Sequence, residues 1–592
     1  MKKVLVRVLA TIGGWVVVSL TLGLVISVLT RRHVADGTVL EIDFAAGIVE
    51  QAPPGLRSLF MESPLTVRDV VDALTRAAED ERVAAVVAKV GDARLGLASL
   101  QEIRDAVAVF RRSGKRTVAL AESFGEFGPG NGAYYLATAF KEIYLQPSGD
   151  LGLVGIATDT PFVRGALDKL GVKPRLDHRE QYKSAMNIFT ERGYTKPHRE
   201  ASEHVLRRQF AQIVRGIAAG RELPEARVRE LVNRGPLSAS MALDAELVDE
   251  LAYRDQVWEQ FRGADGELPP RLSLASYLDR AGRPNDEGDT VALIYGTGSV
   301  HRGRSSWGTF SNEPTMGSET VTAAFRAAVD DDEVRAILFR VDSPGGSYVA
   351  SDTIWREVAR ARRLGKPVVV SMGDVAGSGG YFVAMAADRI VAQPGTITGS
   401  IGVLAGKMVT TDLWSRLGIE WGTLATAPNA TMFSPTQDFT EAQWARLEEF
   451  LDRIYADFVD KAAESRGIPR ERMLEMAQGR IWTGEDAKEL GLVDALGGFP
   501  EALRLVRELT GLAPDAPLKL TVFPKPKSPL ERAVARLLNR PQDDDAASML
   551  ASSNPVQRLW MELQRMPQAR ALLESLEARG ALAMPAAARI AW

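Results

Sequence analysis

The chain has 592 residues, of which 45% are hydrophobic and 25% charged, and its formal net charge is −4. A chain of this length and ordinary globular composition folds into two or more domains, and its charge does not indicate a nucleic-acid partner. It contains no cysteine, which excludes a thiol nucleophile, disulfide bonds and thiolate metal sites. Its five histidines lack the spacing of a zinc motif, so neither a metal nor another cofactor is predicted.

The N-terminal segment is predicted to anchor the chain in a membrane. Val8–Thr30 carries no charge, and a helix of its 23 residues spans the roughly 30 Å hydrocarbon core of a bilayer. Basic residues flank this run on both sides, at Lys2, Lys3, Arg7, Arg31 and Arg32. The positive-inside rule therefore favours a cytoplasmic N-terminus by a small margin.

A cleaved signal peptide is the competing interpretation of this segment, but it would have a shorter apolar run and a small-residue cleavage site. We therefore expect residues 1–33 to be an uncleaved anchor that contacts membrane lipid through residues 8–30. No second apolar run of this length follows in the sequence. We expect a single-pass protein of the inner, cytoplasmic membrane whose remaining domains lie on the periplasmic side.

Five segments recur about 250 residues later, in the same order. The pairs are Thr38–Ile42 with Thr290–Ile294, Arg76–Val87 with Arg326–Leu338, Ala133–Ala137 with Gly380–Ala384, Gln146–Pro147 with Gln393–Pro394, and Ala242–Asp249 with Ala487–Asp494. Such an ordered set indicates two copies of one domain, which we place at residues 34–285 and 286–515. Gly282–Gly288 reads as the linker between them, and residues 516–592 as a C-terminal extension.

Each copy alternates short β-branched runs with amphipathic stretches. In the second copy, Ala336–Val341 and Pro367–Ser371 predict buried strands. Apolar residues also recur there at helical spacing, at Trp444, Leu447, Leu451, Ile454 and Phe458. Strands separated by helices predict an α/β fold with a largely parallel sheet in each copy.

Three glycine-rich turns follow predicted strands in the second copy: Asp342–Ser347, Gly373–Tyr381 and Thr396–Gly402. Ser378 lies in the second turn, where a strand passes into an apolar helix whose N-terminus favours developing negative charge. A single turn of this kind is more often only a turn with a solvent-facing serine. A phosphate-binding loop is a further alternative, but neither of its glycine motifs is present. The ordered set of three turns favours a functional site.

A serine hydroxyl needs a base before it can attack a substrate. No histidine lies in the core of the second copy, because His301 precedes it in a polar stretch. A Ser-His-Asp triad is therefore poorly supported. A lysine can replace the histidine if burial lowers its pKa from about 10.4 towards neutrality.

Several motifs resemble the signal peptide peptidase A family, which has a ClpP/crotonase-like fold. In the second copy these motifs are Ser-Pro-Gly-Gly at 343–346, Gly-Ser-Gly-Gly-Tyr at 377–381 and Gly-Ser-Ile-Gly-Val at 399–403. Gln181–Ala185 resembles the segment that holds the general-base lysine of that family, and Gly479–Asp494 resembles another recurrent segment. The resemblance covers residues 35–515 and includes the anchored tandem layout of the long form.

The resemblance implies a serine endopeptidase with a Ser-Lys dyad and an acyl-enzyme intermediate. Ser378 would be the nucleophile, Lys183 its general base, and Ser400 a hydrogen-bond partner that fixes the lysine. An interval of 247 residues places Asn131 opposite Ser378 and Ala430 opposite Lys183. Each copy would thus retain one half of the dyad.

The resemblance also implies an oxyanion hole formed by the backbone N–H groups of Gly346 and Gly379, with Gly345 shaping the turn. The expected substrates are cleaved signal peptides and other short hydrophobic peptides, and the expected assembly is a homotetramer. Two alternatives share the fold. A crotonase-like acyl-CoA enzyme would use the oxyanion glycines without Ser378 or Lys183, and a membrane scaffold would use none of them.

Overall fold

The computed structural model describes residues 33–53, 64–91, 93, 95–307 and 313–524, together with residue 19 and the pair 582–583. The predicted anchor at residues 8–30 lies outside the described residues, apart from residue 19. Within the described ranges, no helix has the length and apolar character needed to cross a bilayer.

The first copy is built on a six-stranded parallel sheet. The strands of this copy are β1 (Thr38–Asp43), β2 (Ile48–Val49), β3 (Leu65–Thr66), β4 (Val83–Lys89), β5 (Arg116–Ala121), β6 (Glu142–Leu145), β7 (Asp150–Leu151), β8 (Lys173–His178), β9 (Leu237–Ser238), β10 (Glu250–Leu251) and β11 (Arg271–Ser273). The order across the main sheet is β10-β6-β5-β4-β1-β11. Consecutive parallel strands need crossover connections, and helices supply most of them.

The helices of the first copy are α1 (Val67–Glu79), α2 (Leu97–Arg112), α3 (Asn131–Ala137), α4 (Arg164–Leu170), α5 (Asn187–Thr190), α6 (Lys196–Arg221), α7 (Glu225–Arg234), α8 (Ala239–Asp244), α9 (Arg254–Glu259) and α10 (Leu274–Ala281). Short 3₁₀ turns lie at Phe44–Ala46 and Ser184–Met186. Helix α1 begins where the Thr66 side chain and the Asp69 carboxylate satisfy each other's backbone N–H groups in a capping box.

The second copy repeats this architecture. Its strands are β12 (Asp289–Thr297), β13 (Ser299–His301), β14 (Thr315–Gly317), β15 (Val334–Ser343), β16 (Gly345–Gly346), β17 (Val368–Gly377), β18 (Arg389–Ala392), β19 (Ile397–Gly399), β20 (Leu404–Val409), β21 (Ile481–Thr483), β22 (Ala495–Leu496) and β23 (Leu518–Phe523), and β24 (Leu582–Ala583) follows in the extension. Its helices are α11 (Ser318–Asp330), α12 (Tyr348–Arg363), α13 (Gly379–Ala384), α14 (Thr411–Arg416), α15 (Glu441–Arg466), α16 (Arg470–Met476), α17 (Gly484–Glu489) and α18 (Phe499–Thr510).

The two sheets have the same strand order. Six parallel strands of the eight-stranded second sheet run β22-β18-β17-β15-β12-β23, which matches β10-β6-β5-β4-β1-β11 position by position. Strands β19 and β21 extend this sheet from β17. The α/β fold predicted for the chain is therefore confirmed. The strand Leu518–Phe523 corresponds to Arg271–Ser273 and lies beyond residue 515, where the second copy was predicted to end. This edge strand alternates polar and apolar residues, so the loss of continuous apolar character marks the edge of the sheet and not the end of the domain.

Helices cover both faces of the second sheet. Ile337, Phe339 and Val341 of β15 pack into the core cluster that includes residues of α11, α12 and α15. Ala336 and Leu338, which alternate with them, pack into a separate cluster with the apolar face of α18. Successive residues of a strand point to opposite faces. A central strand that is covered on both sides therefore needs apolar residues at consecutive positions, as β15 has from Ala336 to Phe339.

Arg340 is the fully buried charged residue of this strand, and it joins the two copies. Its side chain is fully buried and binds the first-copy carboxylates Glu50, at 2.7 Å from Nε, and Glu102, at 2.8 Å from Nη2. Its Nη1 donates to the Ser371 hydroxyl at 2.8 Å. Glu102 also accepts a hydrogen bond from the N–H of Phe499, the first residue of α18. Buried charges are tolerated only when they are paired and hydrogen-bonded, as these are.

We predict that Arg340→Met destabilises the protein strongly, because it leaves two carboxylates buried without their cation. Removal of one partner from a buried ion pair typically lowers the free energy of unfolding by about 3 to 5 kcal/mol. Denaturant titration of the wild type and the variant measures the effect.

The matched control for this prediction is Arg335→Met on the same strand. The Arg335 side chain is 54% exposed and its Nε lies 3.7 Å from Asp289. Exposed substitutions of this kind usually change stability by less than about 0.5 kcal/mol. Equal losses for the two variants would contradict the role assigned to the buried cluster.

Candidate active site

Ser378 lies at the junction between β17 and α13. Its backbone has φ +54° and ψ −115°, a region that residues other than glycine seldom occupy. Two hydrogen bonds hold this turn: the Ser378 N–H donates to the Gly399 carbonyl at 2.8 Å, and the Ser378 carbonyl accepts from Phe382 at 2.8 Å. Backbone strain of this kind persists only where the surroundings enforce it, and it is common at functional sites.

The strand that leads to Ser378 is tied to the first copy. Asp374, four residues before the serine, accepts hydrogen bonds from the Ser99 N–H at 3.0 Å and from the Ser99 hydroxyl at 2.6 Å. Ser99 belongs to the first turn of α2, whose preceding residue, Gly96, supplies no side-chain cap. The second copy thus caps a helix of the first copy. This contact fixes the end of β17 relative to α2.

Lys183 reaches Ser378 across the boundary between the copies. Strand β8 of the first copy pairs antiparallel with β20 of the second, with His178 opposite Leu404 and Lys173 opposite Val409. Lys183 follows β8 by five residues, and the Tyr182 N–H donates to the Gln478 carbonyl of the second copy at 3.1 Å. The pairing of two strands from different copies therefore delivers the lysine to a site whose other groups belong to the second copy.

The Lys183 amine lies within hydrogen-bond distance of both predicted serines. Its Nζ is 2.7 Å from Ser378 Oγ, 2.9 Å from the Ser400 carbonyl oxygen and 3.1 Å from Ser400 Oγ. The lysine side chain is only 1% exposed. Burial lowers the pKa of Lys183 from its ordinary value of 10.5 to about 7, because a charged amine loses its hydration there. The amine is therefore able to exist in its neutral, basic form near neutral pH.

Ser400 is held in a fixed position beside the lysine. Its φ is +53°, and its N–H donates to the Arg480 carbonyl at 2.7 Å. The preceding residue, Gly399, accepts from the Ser378 N–H, so the turns that carry the two serines are directly linked. Ser400 can thus orient the amine towards Ser378 through both its hydroxyl and its carbonyl oxygen.

The three predicted oxyanion glycines are close neighbours. A Cβ placed on Gly379 would lie 3.0 Å from the Gly346 nitrogen and 3.1 Å from the Gly345 Cα. A Cβ on Gly346, which has φ +154°, would lie 2.1 Å from the Val300 carbonyl oxygen. Side chains are therefore excluded from this side of Ser378. Backbone N–H groups that cluster beside a nucleophile can stabilise an oxyanion.

An extended segment of the C-terminal extension pairs with the Gly345–Gly346 strand. Strand β24, residues 582–583, pairs antiparallel with it, with Leu582 opposite Gly346 and Ala583 opposite Gly345. On its other side, β16 pairs with β13. An edge beside the nucleophile is thus able to bind an extended peptide by main-chain hydrogen bonds.

None of the five histidines, all of which are described, forms a hydrogen bond with Ser378. His301 contacts Thr315 at 2.9 Å, and His204 contacts Asp486 at 3.0 Å. His198 packs against Tyr194, with ring centroids 4.7 Å apart. The sequence argument against a histidine base agrees with these positions.

The first copy has a different residue at the position of the nucleophile. Asn131 is buried, its side-chain oxygen accepts from the N–H groups of Val154 and Gly155, and its Nδ2 donates to the Gly155 carbonyl at 2.7 Å. Ala430, predicted to lie opposite Lys183, is exposed in the segment between α14 and α15. In the first copy the Asn131 amide therefore holds the loop at Val154–Gly155 in place.

Two glycines beside the lysine belong to sequence motifs that gave them no role. A Cβ on Gly402 would lie 3.1 Å from the Lys183 Cδ, and a Cβ on Gly479 would lie 2.5 Å from the Lys183 nitrogen. Because these two residues have no side chain, the second copy packs directly against the side chain and backbone of Lys183. Spacing alone gives no sign of this contact, because Gly479 and Lys183 are almost 300 residues apart.

Comparison with known proteins shows to which family the chain belongs. Residues 109–265 and 360–513, together more than half of the chain, match the model of Peptidase family S49. The chain belongs to peptidase family S49. Each copy of the domain in this S49 peptidase contains one of the two matches, which confirms the tandem arrangement. The chain is therefore a serine peptidase, as predicted, and the acyl-CoA enzyme and scaffold alternatives are disfavoured.

Relatives of this S49 peptidase carry consistent names. "Protease 4" of Salmonella typhi is 33% identical over 456 residues, which cover 75% of this chain and 72% of the relative. "Serine protease SPPA, chloroplastic" of Arabidopsis thaliana is 29% identical, over 84% of this chain and 73% of the relative. "Putative signal peptide peptidase SppA" of Enterococcus faecium is 34% identical over 29% of this chain and 51% of the relative.

We predict that Lys183→Met stabilises this S49 peptidase near neutral pH. The folded-state pKa of about 7 lies below the unfolded value of 10.5, so the unfolded chain binds more protons between these values. The stability of the wild type therefore rises as the pH increases from about 7 to 10.5. The full free-energy cost of burying the lysine applies only below about pH 7. At about 1.4 kcal/mol per pKa unit, the advantage of the variant should shrink by about 3 kcal/mol from pH 7 to pH 10.

Denaturant titrations at both pH values measure this difference, with Lys169→Met on α4 as the control. Lys169 is exposed, so its substitution should give no comparable pH dependence. An advantage of Lys183→Met that is constant between the two pH values would contradict the lowered pKa.

Proposed function

We propose that the chain is a membrane-anchored endopeptidase that degrades cleaved signal peptides by a Ser-Lys mechanism. The observation that carries this proposal is the buried Lys183 amine, 2.7 Å from the Ser378 hydroxyl oxygen. In this mechanism Ser378 is the nucleophile and Lys183 the general base. Ser400 keeps the amine aimed at the nucleophile through the contacts at 2.9 and 3.1 Å.

The reaction begins when Ser378 Oγ attacks the carbonyl carbon of the scissile peptide bond. The neutral Lys183 amine takes the hydroxyl proton, and the carbonyl oxygen becomes an oxyanion. The N–H groups of Gly346 and Gly379 donate to this oxygen, and Gly345 shapes the turn that presents them. The oxyanion then collapses and the C–N bond breaks, while the Lys183 ammonium gives its proton to the departing amine. The acyl group remains bonded to Ser378 as an acyl-enzyme. A water molecule, deprotonated by Lys183, then releases the acyl group and restores Ser378.

Burial of the lysine makes this sequence workable near neutral pH. An exposed lysine with a pKa near 10.5 would be protonated in all but about one molecule in 3,000 at pH 7. With the pKa lowered to about 7, about half of the molecules hold the neutral base. The same lowered pKa makes the ammonium a better acid towards the leaving amine.

The edge strand beside the oxyanion glycines supports an extended peptide as substrate. The antiparallel pairing of residues 582–583 with Gly345–Gly346 provides a geometry that such a peptide could adopt. A signal peptide that is released from its protein is apolar and remains in the membrane. The name of the Enterococcus faecium relative and the apolar run Val8–Thr30 both favour substrates of this class, with residues 1–33 holding the enzyme at the membrane.

The proposed setting is the inner membrane, with the catalytic domains on the periplasmic side and the chains assembled as a homotetramer. The basic residues that flank Val8–Thr30 and the absence of cysteine are compatible with this setting. Short hydrophobic peptides other than signal peptides are proposed as secondary substrates. The reaction needs neither a metal nor an organic cofactor, because the serine and the lysine supply the nucleophile and the base.

We predict that Ser378→Ala and Lys183→Ala each abolish cleavage of a synthetic signal peptide in phospholipid vesicles. The first removes the attacking atom, and the second removes the base. The double variant should be little slower than either single one, because residues that act as a unit have non-additive effects. Lys183→Arg should also be inactive, since a guanidinium stays protonated at neutral pH. Mass spectrometry of the peptide products provides the measurement.

The matched control for the lysine is Lys169→Ala, which should retain wild-type cleavage because Lys169 is an exposed residue of α4. A Lys183→Ala enzyme that keeps a tenth or more of the wild-type rate would refute the Ser-Lys mechanism. Full cleavage of a soluble hydrophobic peptide without cleavage of the signal peptide would instead refute the proposed substrate class.

We predict that Gly346→Pro slows acylation of Ser378 by roughly 10²–10³-fold. Proline has no N–H to donate to the oxyanion, and loss of one such donor typically has this effect. Proline also cannot adopt the φ of +154°, so the observed loss is an upper limit for the hydrogen bond. The rate of labelling by a p-nitrophenyl ester of a hydrophobic acyl group, followed as the burst of p-nitrophenol, reports acylation directly. Gly422→Pro is the control, because Gly422 is exposed and a Cβ there would meet no atom within 4 Å; equal losses would contradict the assignment.

A further inference from the structure

The segment around Arg480 lies directly against the general base. Gly479 has φ +73°, and a Cβ there would lie 2.5 Å from the Lys183 nitrogen and 2.6 Å from its Cβ. The Gly479 N–H donates to the Ile401 carbonyl at 2.8 Å, which ties the segment to the turn that carries Ser400. The dyad mechanism uses no group of Arg480. The position of this residue beside the lysine therefore calls for an explanation.

Arg480 contacts four different parts of the site. Its carbonyl oxygen accepts from the Ser400 N–H at 2.7 Å, and its Nη1 donates to Glu200 of α6 at 2.9 Å. The guanidinium carbon lies 4.8 Å from the centre of the Tyr182 ring and 4.7 Å from that of the Trp482 ring. A planar guanidinium between two aromatic rings is attracted by both.

Tyr182 completes the arrangement from the side of the first copy. Its hydroxyl lies 3.2 Å from each carboxylate oxygen of Glu200, the same carboxylate that binds Arg480. Tyr182 immediately precedes Lys183 in the chain, so a contact that holds Tyr182 in place also restrains the lysine backbone. Tyr182 and Arg480 are both half-buried, whereas the neighbouring Lys183 is 1% exposed. The contact between Tyr182 and Arg480 therefore joins the two copies next to the lysine, at a partly exposed position.

We propose that Arg480 is a positioning residue, which holds Tyr182 and the Gly479 segment closed over Lys183 and so keeps water away from the general base. This inference rests on the Ser-Lys mechanism proposed above. The ion pair with Glu200 is partly exposed, with 19% of the arginine and 46% of the glutamate side chain accessible. Such a pair contributes little to global stability. The arrangement therefore fixes a local geometry, and its loss should leave the fold intact.

The expected effect is on the protonation of Lys183. The charged and titratable groups around the lysine are His178, Glu180 and Tyr182 from its own strand and loop, Glu200 from α6, Tyr455 from α15, and Arg480. Burial is what lowers the pKa of Lys183. Removal of the guanidinium opens this contact and admits water to the lysine. Hydration favours the charged amine, so the change raises the pKa of Lys183.

The test is the pH dependence of the full-length Arg480→Ala enzyme. We measure kcat/KM on a fluorogenic hydrophobic peptide and the rate of Ser378 labelling by a fluorophosphonate probe. For the wild type, both rates should rise with pH around a midpoint near 7. For Arg480→Ala the midpoint should move up by one unit or more, which lowers the rate at pH 6 about tenfold. Above the new midpoint, the variant should recover to within about twofold of the wild type.

Matched variants separate positioning from a general structural effect. Arg472→Ala on α16 removes an exposed arginine that pairs with Glu475 on the same helix, and its pH profile should equal that of the wild type. Arg480→Met keeps the apolar stem and should show the same upward shift if Arg480→Ala folds poorly. Tyr182→Phe keeps the ring that stacks on Arg480 and should shift the midpoint by less than Arg480→Ala.

The outcomes distinguish this inference from the mechanism on which it rests. A wild-type enzyme without a single rise near neutral pH would refute the Ser-Lys mechanism, and the inference with it. A wild-type rise accompanied by an unchanged midpoint in Arg480→Ala and Arg480→Met would overturn the inference alone. A loss by the same factor at every pH would likewise overturn it, because it would show a merely structural role.

Discussion

The arrangement of the site depends on the removal of one lysine amine from water. A protonated amine is strongly hydrated, so a site that strips away this hydration drives the amine towards its neutral form. In this chain the surroundings of Lys183 come from both copies: its own segment belongs to the first, while Gly402, Gly479 and both serines belong to the second. The packing of the two copies against each other is thus also what lowers the pKa of this amine.

Several contacts between the two copies hold Lys183 and Ser378 in fixed positions relative to each other. The β8–β20 pairing carries the lysine, and the Asp374–Ser99 contact fixes the strand that carries the serine. The buried Arg340 cluster lies on the neighbouring strand and joins the same two copies. The proposed proton transfer over 2.7 Å tolerates little displacement. The β8–β20 pairing restrains the lysine end, and the Asp374–Ser99 contact restrains the serine end.

The tandem α/β fold could be predicted from sequence because the two copies keep the same internal contacts. The Tyr134 hydroxyl donates to the Leu247 carbonyl, and the Tyr381 hydroxyl donates to the Leu492 carbonyl at the equivalent place. The turn that holds Ser378 could also be predicted, because glycines beside a strand end leave a local signature. Lys183 was identified only through family resemblance. The hydrogen-bond partners of its amine are 195 or more residues away in sequence, and no local pattern shows that β8 crosses to the other copy.

Arg340 and Arg480 could not be assigned from sequence for a related reason. A lone arginine in a sequence is normally an exposed residue, and its partners here, such as Glu50 and Glu200, are separated from it by 280 residues or more. The recurring segments also predict the end of the second copy at residue 515, before the edge strand Leu518–Phe523. Edge strands carry a weaker apolar pattern than central ones, so their boundaries are harder to predict.

The division of the dyad between the copies has a consequence for biosynthesis. A ribosome makes the first copy, with Lys183, well before it reaches Ser378, and β20 follows the serine by a further 26 residues. Until that strand emerges and pairs with β8, the lysine has no partner and remains a hydrated cation. In the mechanism proposed above, a growing chain therefore has no complete Ser-Lys pair before β20 has paired with β8. The order of the two copies along the chain thus delays completion of the proposed dyad until translation has passed β20.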